Sequence, residues 1–298
     1  MVIDFHTHIF PDSIAPKALH TLTQNIRTAD TRFDAGAPYT MATADSLLAS
    51  SRDAGLDISV VMPIATSPHP SATLNAFAAE VDKLPGLRSF GSVHPDNPQA
   101  MQELEHIREL GLVGIKLHPE YQSCYVDEPA TVTVVRKAAA LGLWVLFHAG
   151  EDIGLPPPVH GTPARFARLR EAAPDARIIL AHMGSYGLWK DVERLLPGMG
   201  LYIDTSFSLT DSPPSSGTTQ VQAAWEPFVR IVRAMGTDHV LFGSDSPWSD
   251  QRRALHTLRD FLRFGQFNEQ ESQAILGGNA AGILQTAPAC HCEKGGCQ

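Results

Sequence analysis

Eight short apolar runs rich in β-branched residues punctuate the chain: Val2 to His8, Ile58 to Ile64, Arg88 to His94, Gly114 to His118, Trp144 to His148, Ile178 to His182, Leu201 to Ser206 and His239 to Asp245. Helix-like stretches separate them. Leu74, Phe77, Ala78 and Val81 follow helical spacing, Asn97-Pro98 opens a helix that Gly111 closes, Pro129 starts another that stops near Gly142, and a last helix is expected from about Glu269 to Leu284. Strand and helix alternating eight times predict a parallel sheet, and eight units point to a closed (β/α)8 TIM-type barrel before an open doubly wound sheet. The 298 residues suit one such α/β barrel, and no shift of composition marks an internal boundary. A single domain is therefore expected over residues 1–284, followed by a flexible tail over 285–298 that has no apolar pattern.

With 43% apolar and 18% charged residues the composition is that of a globular protein, and no apolar run reaches the roughly 18 residues a membrane-spanning helix needs. The N-terminus carries no basic stretch leading into an apolar one, so a cytoplasmic protein is expected. A net charge of -9 argues against nucleic acid as a partner, since wide contact with phosphates calls for a basic surface. Only Cys124 lies in the body of the chain, while Cys290, Cys292 and Cys297 crowd into the tail, a poor layout for a disulfide framework.

Polar residues of one kind end the apolar runs. His6 and His8 stand at i and i+2 on the first predicted strand, where alternate side chains share a face, so both imidazoles can reach one point. That point is most simply a metal ion, which would need further His or carboxylate ligands from other strands. His148, His182 and Asp245 stand at the ends of three later runs, and a barrel gathers the C-terminal ends of its strands into the ring where barrel enzymes build their sites. The loops 154–158 and 209–219 follow strands and belong over that face, and the low-periodicity region from Ile9 to Ala44 is expected to be a lid or substrate loop.

These residues also carry a family resemblance. His6-Thr7-His8, His148, His182 and Asp245, with the phrases Gly114-Ile115-Lys116-Leu117-His118-Pro119, Ala181-His182-Met183-Gly184 and Phe242-Gly243-Ser244-Asp245-Ser246-Pro247-Trp248, resemble the amidohydrolase superfamily. They resemble in particular the amidohydrolase-related branch that contains aminocarboxymuconate semialdehyde decarboxylase. The resemblance implies that His6, His8, His148 and Asp245 hold one divalent metal, zinc or manganese, with His182 beside it as acid/base or electrostatic partner. A metal held by neutral histidines and one carboxylate brings the pKa of bound water towards about 7, and Asp245 can accept that water's proton. The resemblance leaves Lys116 two roles: carboxylated, it would bridge a second ion held by His148 and His182; unmodified, it would be a cation suited to a substrate carboxylate.

His118 and Glu120 are further second-metal or substrate-binding residues on this reading, and Trp248 and Tyr125 an aromatic wall. His94 is read as structural, and Cys290-His291-Cys292 with Cys297 as incidental thiols rather than a metal site. The expected function is a metal-dependent hydrolase that uses metal-bound hydroxide to cleave an amide, ester, lactone or activated C–C bond of a small molecule. The alternatives are a metal-dependent non-oxidative decarboxylase of an unsaturated or aromatic carboxylic acid and a non-catalytic barrel that only binds. A homodimer is the default assembly, and membrane partners are not expected.

Overall fold

Each apolar run forms a strand, and each strand is shorter than its run because the chain leaves the sheet where the polar residues begin. In the computed structural model, which describes residues 1–29, 38–209 and 218–286, the strands are β1 (Ile3–Thr7), β2 (Ile58–Val61), β3 (Leu87–Ser89), β4 (Gly114–Leu117), β5 (Trp144–Phe147), β6 (Arg177–Leu180), β7 (Tyr202–Asp204) and β8 (Val240–Leu241). Every pair is parallel, and the sequential order β1 to β3 and β4 to β8 is unbroken. Two single bridges close the ring. Gly91 pairs with Ile115 between β3 and β4, and Thr7 pairs with Ser246 between β1 and the end of β8, where Phe5 N–H also donates to Phe242 O at 2.7 Å. The predicted (β/α)8 barrel is the observed fold.

Helices α1 (Ala15–Ala29) and α2 (Ala44–Ala54) separate β1 from β2, and α3 (Ala72–Asp82) and α4 (Ala100–Glu109) follow β2 and β3. The short α5 (Pro119–Gln122) and α6 (Pro129–Ala140) follow β4, with α7 (Pro163–Ala172), α8 (Trp189–Leu195) and α9 (Thr218–Met235) after β5, β6 and β7. Three helices end the described chain: α10 (Gln251–Phe264), α11 (Glu269–Gln273) and α12 (Asn279–Leu284).

Two expectations are corrected. The region read as a loop from Ile9 to Ala44 contains α1, and the last helix is broken by a turn of wider π-helix over Ala274–Gly278. At that break Gly277 passes β1 so closely that a Cβ would stand 2.6 Å from Met1 O. The chain thereby crosses the lower end of the barrel, and Ala280 and Ile283 of α12 join the barrel's inner core. Of the tail, Thr286 is anchored, its hydroxyl accepting from Trp144 Nε1–H at 3.2 Å, and the tail cysteines lie outside the described residues. Among the described residues no helix is long and apolar enough to cross a membrane.

The period-2 alternation of strands splits the core into two layers. Ile3, Phe5, Met62, Phe90, Leu146, Ile179 and Leu241 fill the barrel, while Ile115, Leu117, Val145, Phe147, Ile178 and Leu180 pack outward against the helices. A polar cluster interrupts the outer layer beside β1. The fully buried Asp4 carboxylate accepts from Ser244 Oγ–H at 2.6 Å, Ser244 N–H at 2.9 Å, Gln251 Nε2 at 2.7 Å and His6 N–H at 3.2 Å. Burial still raises it to about 6 against those four bonds.

Gln251 extends the link to Ser59 on β2, at 3.1 Å, and to Ser51 on α2, at 3.3 Å, so one cluster pins the seam at which β8 returns to β1. Gln251→Leu strips Asp4 and Ser59 of a donor in a site water does not reach. It is expected to cost about 1–3 kcal/mol of unfolding free energy, read from urea titration.

Candidate metal centre and cavity

The two histidines of β1 reach the site through a change of register. Ile3 and Asp4 pair with Ile58 and Ser59, but Thr7 pairs with Val61, so β1 spends one residue more than β2 across this interval. Strict alternation from the inward Ile3 and Phe5 would turn His6 outward; the irregularity resets the face, and His6 and His8 both enter the cavity. His8 Nδ1 lies 2.8 Å from Met62 O, which can only accept, so Nδ1 carries the proton. His6 Nδ1 likewise donates to Asp204 Oδ2 at 2.7 Å. In the neutral rings both Nε2 lone pairs are left facing Asp245 Oδ1, at 3.3 Å from His8 and 3.6 Å from His6.

Two lone pairs aimed at an ionised carboxylate repel unless a cation stands between them, so this donor set fits a divalent metal. Burial pushes the Asp245 carboxyl up, but positive charge at the imidazoles of His8, His6 and His182 outweighs it and holds it far below the usual range, so the point between these groups favours a cation. Burial and the Lys116 charge lower His6 to about 4, which keeps its Nε2 free of a proton at neutral pH.

His182 and Asp245 are aimed by their backbones. Both have left-handed conformations, with φ of 60° and 71°, each costing about 1–3 kcal/mol outside glycine. Beyond β6 the inward Ala181 would leave His182 facing the helices; the left-handed turn brings it back over the barrel. Its N–H donates to Asp204 Oδ1 at 3.0 Å, its Nδ1 faces Ser206 O at 3.1 Å, and its Nε2 meets His148 Nδ1 at 3.0 Å. Gly243, just before Asp245, lies so close to β1 that a Cβ would stand 2.9 Å from His6 Cβ.

Asp204 is the residue the sequence reading missed. It is wholly buried at the end of β7 and accepts from His6 Nδ1–H, His182 N–H, Ser206 N–H and Ser206 Oγ–H. Burial would raise its pKa, yet His6, His182 and Ser206 bring it down to about 2. The signal was present in Tyr202-Ile203-Asp204, an acid ending the seventh apolar run as Asp245 ends the eighth.

Lys116 points into the barrel from β4 and is buried, with Nζ 3.2 Å from His6 Nε2. Burial lowers it to about 8 against the pull of Asp204, Asp245 and Asp152. His148 presents a buried Nε2 without a hydrogen-bond partner. With His118 and Asp152 it makes a second cluster of metal-ligating type, but the rings of His118 and His148 stack at 4.1 Å with only 12° between their planes. One ion cannot lie in the plane of both. His118 is also engaged at each nitrogen, Nδ1 accepting from Tyr121 N–H at 3.3 Å and Nε2 facing Asp152 Oδ2 at 3.5 Å.

The amidohydrolase family model matches residues 3–285. This chain belongs to the amidohydrolase family. Its barrel is similar to that of 5-carboxyvanillate decarboxylase from Sphingomonas paucimobilis, with 18% identity, a TM-score of 0.63 and 95% of this chain and 98% of that one covered. A dihydroxybenzoic acid decarboxylase from Polaromonas sp. JS666, solved with bound manganese, gives 18% identity and a TM-score of 0.67 over 97% of this chain and 98% of that one. A Pseudomonas putida protein assigned as a 2-pyrone-4,6-dicarboxylic acid hydrolase gives 16% identity and a TM-score of 0.63, covering 95% and 97%. No curated protein matches the sequence.

In this amidohydrolase the cluster forms the floor of a cavity of about 480 Å³. His6, His8, Lys116, His118, His148, His182, Asp245 and Trp248 all line it. Two residues do not. Glu120 turns away to accept from His160 N–H at 2.8 Å and to pair with His160 Nδ1 at 2.5 Å, pinning the loop after β5, and Tyr125 packs on His160 beneath the Arg165 guanidinium. His94 lies outside that lining, its Nδ1 accepting from Asp96 N–H at 3.1 Å and its ring grouped with Asp96 and Cys124.

Asp204→Asn removes the charge that orients His6. It is expected to weaken binding of zinc or manganese about 10- to 100-fold with the fold retained, read by competition with a chromophoric chelator. Gly243→Ala, by pushing on His6 Cβ, is expected to weaken the same binding while leaving the far-ultraviolet circular dichroism unchanged.

Proposed function

We propose that this protein is a metal-dependent hydrolase of a small, neutral carbonyl compound. His6, His8, His148 and Asp245 hold one divalent cation, zinc or manganese. The converging lone pairs of His6 and His8 and the orphaned Nε2 of His148 support that set. The parallel stacking of His118 on His148 speaks against a second ion between them. A bound divalent cation supplies Lewis-acid polarisation of a carbonyl oxygen and makes water more acidic.

The chain's own groups do the rest. Asp245, ionised at the cavity floor, accepts a proton from the attacking water and passes it to the leaving group as the C–O or C–N bond breaks. The water's oxygen ends on the acyl carbon, and acid and alcohol or amine leave. His182, fixed by Asp204 and Ser206, is placed to stabilise charge on the carbonyl oxygen.

The observation that carries hydrolysis over decarboxylation is the charge of the cavity. Among its described lining residues Glu151, Asp152 and Asp245 are acidic and Lys116 is the one lysine or arginine. A carboxylic acid, which decarboxylation requires, would bring another anion beside Glu151 and Asp152 with no arginine to clamp it.

The decisive experiment is turnover of small esters, lactones and amides in ¹⁸O-labelled water. One label in the product acid supports the reading, whereas carbon dioxide released from an acid substrate without label in the organic product assigns the protein to decarboxylation. Asp245→Asn and His182→Ala are each expected to lower kcat/KM by about 10²–10⁴, with metal content retained in the second; full activity in both variants removes the mechanism.

A further inference from the structure

Helix α1 is amphipathic: Ala15 and Leu19 are buried, and a neighbouring apolar stripe faces the cavity. Ile14, Ala18, Leu22 and Ile26 recur every fourth residue and so form one stripe, with Lys17, Thr21, Gln24 and Arg27 on the exposed side. None of the four joins the apolar clusters inside or around the barrel; all four line the cavity instead. Leu74 and Phe77 of α3 line it as well. From Ile14 to Ile26 the stripe extends for roughly 18 Å at helical rise. The polar groups His6, His8, Lys116 and Asp245 line the same space, and Ile26 marks the end of the stripe nearest them, since Ile26 and Asp152 both approach Gly154 and Asp152 faces His118. An amphipathic helix gains stability by covering its apolar stripe, and an apolar channel of this kind holds water poorly and takes apolar ligands.

We infer that the substrate is an amphiphile: a neutral carbonyl head seated on the floor and an unbranched hydrocarbon chain lying along α1. This rests on the proposed function for its head group and on the channel alone for its chain. The chain supplies binding without chemistry, since each methylene leaves water for an apolar wall. Affinity should therefore climb about fourfold per added carbon until the channel is full.

The test uses the purified full chain and a series of straight-chain methyl ketones, which present the carbonyl and cannot be hydrolysed, with Kd measured by calorimetry from the shortest to the longest soluble member. The expected result is a Kd that falls about fourfold per methylene and then levels, with matched alkyl carboxylates binding more weakly at every length. Ala18→Trp narrows the channel and is expected to move the levelling point to shorter chains; Leu22→Asp places a charge in it and is expected to weaken the longest ketone by more than tenfold. A Kd independent of chain length in the wild-type protein overturns the inference without reference to any variant's folding, and carboxylates binding tighter than ketones overturn the neutral head. A rising ketone series with no hydrolysis of any ester, lactone or amide would remove the proposed function and leave the channel's preference standing.

Discussion

Everything at the catalytic end of the barrel hangs on one buried carboxylate. Asp204 takes two oxygens out of water and meets four donors there, from His6 on β1, from the backbone of His182 beyond β6 and from both donors of Ser206 beyond β7. A charge in that position is tolerated only because it is saturated. Its saturation in turn fixes the tautomer of His6 and the strained turn of His182, so the aim of the Nε2 atoms is decided a layer below the residues that face the cavity.

Around that hub the barrel separates two kinds of environment. The floor concentrates imidazoles, carboxylates and one lysine, all desolvated, so each group's proton is set by its neighbours: His6 and Lys116 are driven towards neutrality and Asp245 is held ionised. The upper wall is hydrocarbon, contributed by α1, α3 and the loop after β1. A reacting group placed at the boundary meets strong fields below and a dry surface above, the arrangement in which fixed dipoles act on a transition state most strongly.

Several features were legible in the sequence because they depend on local periodicity. Eight apolar runs with helices between them gave the barrel, and His6-Thr7-His8, His148, His182 and Asp245 at the ends of runs marked its mouth. The helix α1 escaped because its apolar positions, Ala15, Ala18, Leu19, Leu22 and Ile26, include two alanines and are interrupted by Thr, Gln and Asn. That pattern reads as a loop unless a cavity is known to receive it. Glu120 and Tyr125 were misplaced because a residue just past a strand can turn either way, and here the loop carrying His160 claimed both. Asp204 escaped for a plainer reason: an acid at a strand end shows its importance only when its partners, far apart in the chain, are seen to converge on it.

Side-chain period and order along the chain were enough to place the eight strands, to make them parallel and to put His6, His8, His148, His182 and Asp245 at strand ends. The direction in which those residues face depends on contacts between distant strands. The register change in β1, the left-handed turns at His182 and Asp245 and the close approach of Gly243 to His6 are settlements between strands from opposite ends of the chain. They arise because a closed barrel must satisfy hydrogen bonding, packing and burial of charge at one seam simultaneously, a condition no local window of residues contains.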